Sequence, residues 1–226
     1  PPRSTLFPYT TLFRSPMQDP KPGFLQGVRN LADRYGAVLI FDEIRTGFRM
    51  SLGGAQQVYG VTPDLATFGK AMANGYAISA TVGKAKYMKK GEKEVFLSST
   101  YFPNSDGFAA SMKTIEILQR DNVLAEVHRK GKLLADGIAG AIARHPKVGA
   151  ELSGNGAMFF VTFAKDERKT YKDKRRDFYT YAIRKGVFIQ PYHHGYVAYR
   201  HTDADLAFAI RTVDEALQYV EEKYAT

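Results

Sequence analysis

Apolar residues recur at helical spacing near the start of the chain: Phe24, Val28, Leu31 and Tyr35, followed directly by Gly36. Such spacing gathers apolar side chains into one stripe, and a glycine just past the last of them stops the turn. The stretch therefore reads as an amphipathic helix. The period then breaks. Ala37-Val38-Leu39-Ile40-Phe41 is a continuous apolar run closed by Asp42 and Glu43, the pattern of a short strand covered on both faces in a parallel sheet. "QQVYGVTPD" (56–64) reads as a connector with a helical turn, and "LATF" (65–68) as a second short apolar strand. Helix, strand, crossover and strand in that order predict an α/β arrangement.

From Ser105 the helical pattern returns. Phe108, Met112 and Ile115 make one stripe, and Leu124, Val127, Leu134, Ile138 and Ile142 continue it through Gly131. His145-Pro146 ends it, because the residue before a proline is pushed out of the helical region. "GAMFFVTFA" (156–164) and "GVFIQPY" (186–192) read as strands on either side of a basic helix around 170–185. Thr202 with Asp205 three positions on forms a capping box, opening a last helix that buries Leu206, Ile210, Val213, Leu217 and Val220. Gly75 after Asn74 reads as a turn with positive φ. The change of pattern around Arg144 to Glu151 sets a boundary, with 17–146 as part of a large domain and 147–226 as a small C-terminal domain. Residues 1–16, "PPRSTLFPYTTLFRSP", repeat Thr-Leu-Phe and follow neither period. They read as a non-native leader, the translation of an adapter oligonucleotide.

Composition narrows the function classes. With 44% hydrophobic residues, 15 Phe and 14 Tyr, the chain has the material for a core. The absence of cysteine removes disulfides and thiolate metal sites and fits a reducing compartment such as the cytoplasm. No apolar run approaches the length of a membrane span, and no basic-then-apolar leader is recognisable. The net charge of +9 arises in Lys84–Lys93 and in "KDERKTYKDKRRD" (165–177). Both runs mix in acids and neither sits in an aromatic-and-glycine nucleic-acid motif, so they read as solvated surface. A basic nucleic-acid module would instead show salt-dependent retention on DNA.

The candidate chemistry sits at the ends of the two apolar strands. Lys70 follows Leu65-Ala66-Thr67-Phe68-Gly69 and precedes Ala71-Met72-Ala73. Among such neighbours a lysine either snorkels out of a core or is held there to react. Asp42 closes the first strand. If both strands lie in one parallel sheet, Asp42 and Lys70 meet at its carboxyl edge, where α/β folds bind ligands. Two acids after an apolar strand are also the Walker B pattern of ATPases, which requires an upstream G-x-x-x-x-G-K-[ST] that this chain lacks. His193-His194 have no third metal ligand in register and read as loop or substrate-rim packing. His128 and His145 read as surface helix residues.

Three stretches together, "YGAVLIFDEIRTGFR" (35–49), "GGAQQVYGVTPDLATFGKAMANGY" (53–76) and "VFLSSTY" (95–101), resemble the class III aminotransferases of the pyridoxal-phosphate fold type I. Glutamate-semialdehyde aminomutase is the nearest relation suggested. "GVFIQPYHHGYVAYRHTDADL" continues the family's order more loosely. The resemblance implies pyridoxal 5'-phosphate as cofactor, a small-molecule amino donor and oxo acceptor as substrates, and a homodimer for the full-length parent. It implies that Lys70 is the Schiff-base lysine and proton carrier, that Asp42 holds the pyridine nitrogen protonated, and that Ile44 packs on the ring. Thr100 corresponds to the threonine that reaches the phosphate of the neighbouring subunit's cofactor. Arg45 stands where many relatives carry glutamine, and its role is left open. The family's phosphate loop, stacking aromatic and N-terminal substrate arm have no counterpart, so 17–226 is expected to be the C-terminal half of such an enzyme. The competing expectation is an inert fragment.

Overall fold

The computed structural model describes residues 18–96 and 105–225. The chain forms two compact units, one of Pro20–Glu126 and one from Val127 onward.

In the first unit, α1 (Phe24–Tyr35) ends at Gly36, whose φ of 64° lets its amide reach back to the carbonyls of Ala32 and Asp33. β1 (Ile40–Asp42) follows, then α2 (Ala55–Tyr59), β2 (Leu65–Phe68), β3 (Ala80–Gly83) and α3 (Ala85–Glu94). β2 is the centre of the sheet. It runs parallel to β1, pairing Ile40 with Leu65 and Asp42 with Thr67, and antiparallel to β3, pairing Leu65 with Gly83. The amino end of β2 is fastened by Asp64, which is buried. It accepts hydrogen bonds from Lys84 Nζ (2.8 Å), the Leu39 amide (2.9 Å) and Arg29 Nη1 of α1 (2.9 Å). The Lys84 ammonium, the Leu39 amide and Arg29 together outweigh the cost of burial and hold the Asp64 carboxyl well below the usual carboxylate range.

β1 does not have the two-sided cover its apolar run predicts. Ile40 is 56% exposed and Asp42 is exposed, and among the described residues no strand pairs with its outer edge. The apolar stripe of α1 is also open at Phe24, Leu31 and Tyr35, while Arg29 and Ala32 are its buried residues.

The long helical region is two helices, α4 (Ser105–Arg120) and α5 (Val123–Arg144), parted at Asn122, whose φ of 47° no helix accommodates. The two compact units divide inside α5, where Leu134, Ile138 and Ala141 pack into the second core. That core is completed by β4 (Ala150–Asn155), β5 (Met158–Phe163), α6 (Tyr171–Arg184) and α7 (Asp203–Lys223), with Phe163, Phe178, Leu217 and Val220 among its members. β4 and β5 pair antiparallel along their whole length. The Tyr179 hydroxyl donates to the Val161 carbonyl at 2.9 Å. Thr202 and Asp205 form the expected capping box at the start of α7.

Two expectations fail here. "GVFIQPY" is not a strand; β5 pairs on that side with the two-residue β6 (Gly195–Tyr196), and Ile189 is held by burial instead. His145 is not a plain surface residue. Its ring lies between Glu221 (2.9 Å) and Asp214 (3.2 Å) of α7 and ties the end of α5 to that helix.

Candidate active site

The β1–β2 register puts Asp42 opposite Thr67. Lys70 therefore starts three residues past the point where the two carboxyl ends stand side by side. The Asp42 carboxylate is oriented locally. Its Oδ1 accepts from the Ile44 amide (3.0 Å), closing a turn of the kind short acidic side chains favour, and from the Thr67 hydroxyl (3.4 Å). Among the described residues Oδ2 accepts no hydrogen bond, and the residue is exposed.

Lys70 opens a single 3₁₀ turn, Lys70–Met72, in which the Met72 amide donates to the Gly69 carbonyl (3.0 Å). Its φ of 46° lies in the left-handed region, so a non-glycine residue is held at a strained backbone position. The apolar neighbours that make Lys70 conspicuous divide from it in space. Phe68, Gly69, Met72 and Ala73 are buried, while Lys70 is exposed and, among the described residues, its ammonium has no ion-pair partner. Ile44 connects the two strand ends: its Cγ2 lies 3.7 Å from where a Cβ on Gly69 would stand. Asn74 and Gly75 both have positive φ, 48° and 108°, as the turn requires.

Glu43, the acid after Asp42, has a role that sequence reasoning missed. It is 1% exposed and accepts from the Thr46 hydroxyl and from the amides of Ala55 and Gln56, each at 2.8 Å. The available signal was the Gly53-Gly54 pair ahead of α2: a Cβ on Gly54 would stand 2.2 Å from Glu43 Oε2. His194 is buried with its ring edge-on to Phe160, at 5.2 Å. Among the described residues no cluster of His, Cys, Asp or Glu could hold a metal ion, and no helix is long and apolar enough to cross a membrane. Thr100 lies outside the described residues.

An open carboxylate oxygen suits a protonated pyridine nitrogen, an exposed amine suits an aldehyde, and an aliphatic side chain between them suits a flat ring. These residues fit pyridoxal phosphate at its ring and aldehyde. The fold agrees. A FumI protein of Sphingopyxis sp. MTA144, solved in its PLP internal aldimine form, superposes with a TM-score of 0.84 at 25% identity, over 94% of this chain and 50% of that one. An omega-transaminase from Sphaerobacter thermophilus superposes with a TM-score of 0.79 at 24% identity, over 91% of this chain and 49% of that one. The architecture is thus that of the PLP-dependent transaminases, fold type I, present in part. Residues 16–220 match the model of the family Aminotransferase class-III, and the chain belongs to that family. The 3-aminobutyryl-CoA aminotransferase of Cloacimonas acidaminovorans (strain Evry) is 54% identical over 91% of this chain and 50% of its own length. The glutamate-1-semialdehyde 2,1-aminomutase of Desulfatibacillum aliphaticivorans is 35% identical over 88% of this chain and 49% of its own. The chain spans about half the length of the curated relatives it matches.

Proposed function

We infer that the polypeptide represented by this chain moves an amino group between a small amino compound and an oxo compound with the help of pyridoxal phosphate. The observation that carries the reading is the side-by-side exit of Asp42 and Lys70 from two adjacent parallel strands. The cofactor supplies an electron-accepting ring and a carbonyl carbon that takes up and releases nitrogen. Lys70 would hold the cofactor through its side-chain nitrogen, and its amine, freed when substrate binds, would be placed to move the proton on and off the substrate carbon. Asp42 would keep the pyridine nitrogen protonated through its open oxygen, and Ile44 would pack against the ring face. By the family resemblance Thr100 would reach the phosphate of a second copy's cofactor, so the working unit would be a homodimer, and the lack of cysteine suits the cytoplasm. The 54% identity to a 3-aminobutyryl-CoA aminotransferase favours an amino acyl-CoA thioester as substrate over the aminomutase reaction. On the domain reading, 17–146 belongs to the cofactor domain and 147–226 to the small domain.

A second reading is an inert fragment, since the chain spans about half the length of the curated relatives it matches.

Borohydride reduction of the full-length protein with pyridoxal phosphate should attach a phosphopyridoxyl label to the peptide containing Lys70; a label on Lys84 or Lys86 instead refutes the assignment. Asp42→Asn should keep the label yet lower turnover by about two orders of magnitude, the scale of losing one electrostatic partner of a reacting centre. For the chain alone, saturable micromolar uptake of pyridoxal phosphate that is lost in Lys70→Ala would exclude the inert reading.

A further inference from the structure

We propose that Glu43 is a positioning residue for Asp42 and Ile44, an inference that rests on the reading of Asp42 as the partner of the cofactor nitrogen. A carboxylate that is 1% exposed survives only where donors replace its water. Glu43 draws its donors from both ends of one loop: the Thr46 hydroxyl at the start, and the Ala55 and Gln56 amides where α2 begins. One side chain thus closes the base of the loop that leaves Asp42. The main chain of the same residue is fixed too. Its amide donates to the Thr67 carbonyl (2.9 Å), carrying the β1–β2 pairing one residue past Asp42, and its carbonyl accepts from the Gly47 amide (2.8 Å). Asp42 and Ile44 flank a residue held from four directions, and the Ile44 amide in turn holds Asp42 Oδ1. Gly54, with φ of 79° and no room for a Cβ beside the carboxylate, shows the loop closing tightly on it. Glu43 acts through its neighbour: it keeps the open oxygen of Asp42 aimed where the ring nitrogen would lie.

Two variants test this. Glu43→Gln puts an amide NH₂ against donors, and Thr46→Val removes one donor while sparing the fold. In this chain, backbone amide exchange at Ile44, Ala55 and Gln56 should quicken by about tenfold in Glu43→Gln, the scale of one lost hydrogen bond, and by less in Thr46→Val. The β2 amides should stay unchanged. Equal acceleration at β2, or no change at Ile44, overturns the proposal. In the full-length protein loaded with pyridoxal phosphate, Glu43→Gln should retain the Lys70 label. It should also shift the pH at which the bound cofactor's absorbance changes, in the same direction as Asp42→Asn. A Lys70 label with an unshifted profile overturns the role of Glu43 alone, whereas no Lys70 label in the unsubstituted protein overturns the reading of the site itself.

Discussion

Helix α5 carries three glycines whose replacement by alanine separates helix propensity from packing. Each substitution offers the same gain of roughly 0.5–1 kcal/mol from restricting the unfolded chain and favouring the helix. What each new methyl meets differs. At Gly140 it meets only Arg144 Nη1, at 3.7 Å, an ordinary contact with a flexible tip. Gly140→Ala should therefore stabilise by most of that gain. At Gly137 it lies 2.3 Å from Ile210 Cδ1 and 2.6 Å from Cγ1. The isoleucine must leave its rotamer, at about 0.5–1.5 kcal/mol, so the two effects nearly cancel. At Gly131 it falls 1.2 Å from the Gly156 carbonyl oxygen and 2.1 Å from its carbon, both backbone atoms in the turn between β4 and β5. No rotamer relieves that. The helix must retreat by about 2 Å to restore normal contact, and Leu134 and Ile138, buried on the same helix, lose packing as it does. Overpacking of this kind costs about 1–3 kcal/mol or more, leaving Gly131→Ala destabilised by about 2 kcal/mol after the propensity gain. Urea denaturation of the three variants at constant m-value reads the order directly. If Gly131→Ala matches Gly140→Ala, α5 does not press on the turn, and the packing described for the second unit is wrong.

Two further outcomes follow from buried polar groups. Asp64→Asn should lower the urea midpoint most at neutral pH. The native carboxyl is held below its ordinary value, so its contribution is complete above about pH 4. It is lost as pH falls through the native pKa, so the gap between wild type and variant should narrow in acid; a gap that widens in acid refutes the sign. Tyr179→Phe keeps the ring that packs edge-on against Phe178 but strands the Val161 carbonyl, and should cost about 1 kcal/mol by the same assay, whereas a neutral result would mean that water replaces the hydroxyl.

Much of this architecture was legible because it depends on neighbours in sequence. Phe24 to Tyr35 with Gly36, the four residues of β2, and Thr202 with Asp205 are patterns that local physics resolves alone. "GVFIQPY" has the composition of a strand, yet a strand exists only where a partner offers a ladder, and no local signal reports that β5 spends just two residues on that side. His145 reads as surface until α7 delivers Asp214 and Glu221 to it from about seventy residues away. In the site, Asp42 and Lys70 could be paired from sequence because one crossover separates two parallel strands. Glu43 could not, because its meaning lies in where the amides of Ala55 and Gln56 return.

The edge of β1 that no described strand covers has a consequence for how this chain behaves as its concentration rises. An edge strand offers its outward amides and carbonyls to any extended segment that arrives, and the open side chains of Phe24, Leu31, Tyr35, Val38 and Ile40 supply apolar area beside it. Pairing at such an edge is bimolecular, so its rate grows with the square of the chain concentration, while folding of each chain does not change. Dilute samples should therefore run as single chains and concentrated ones as growing assemblies, a crossover that light scattering across a dilution series would locate.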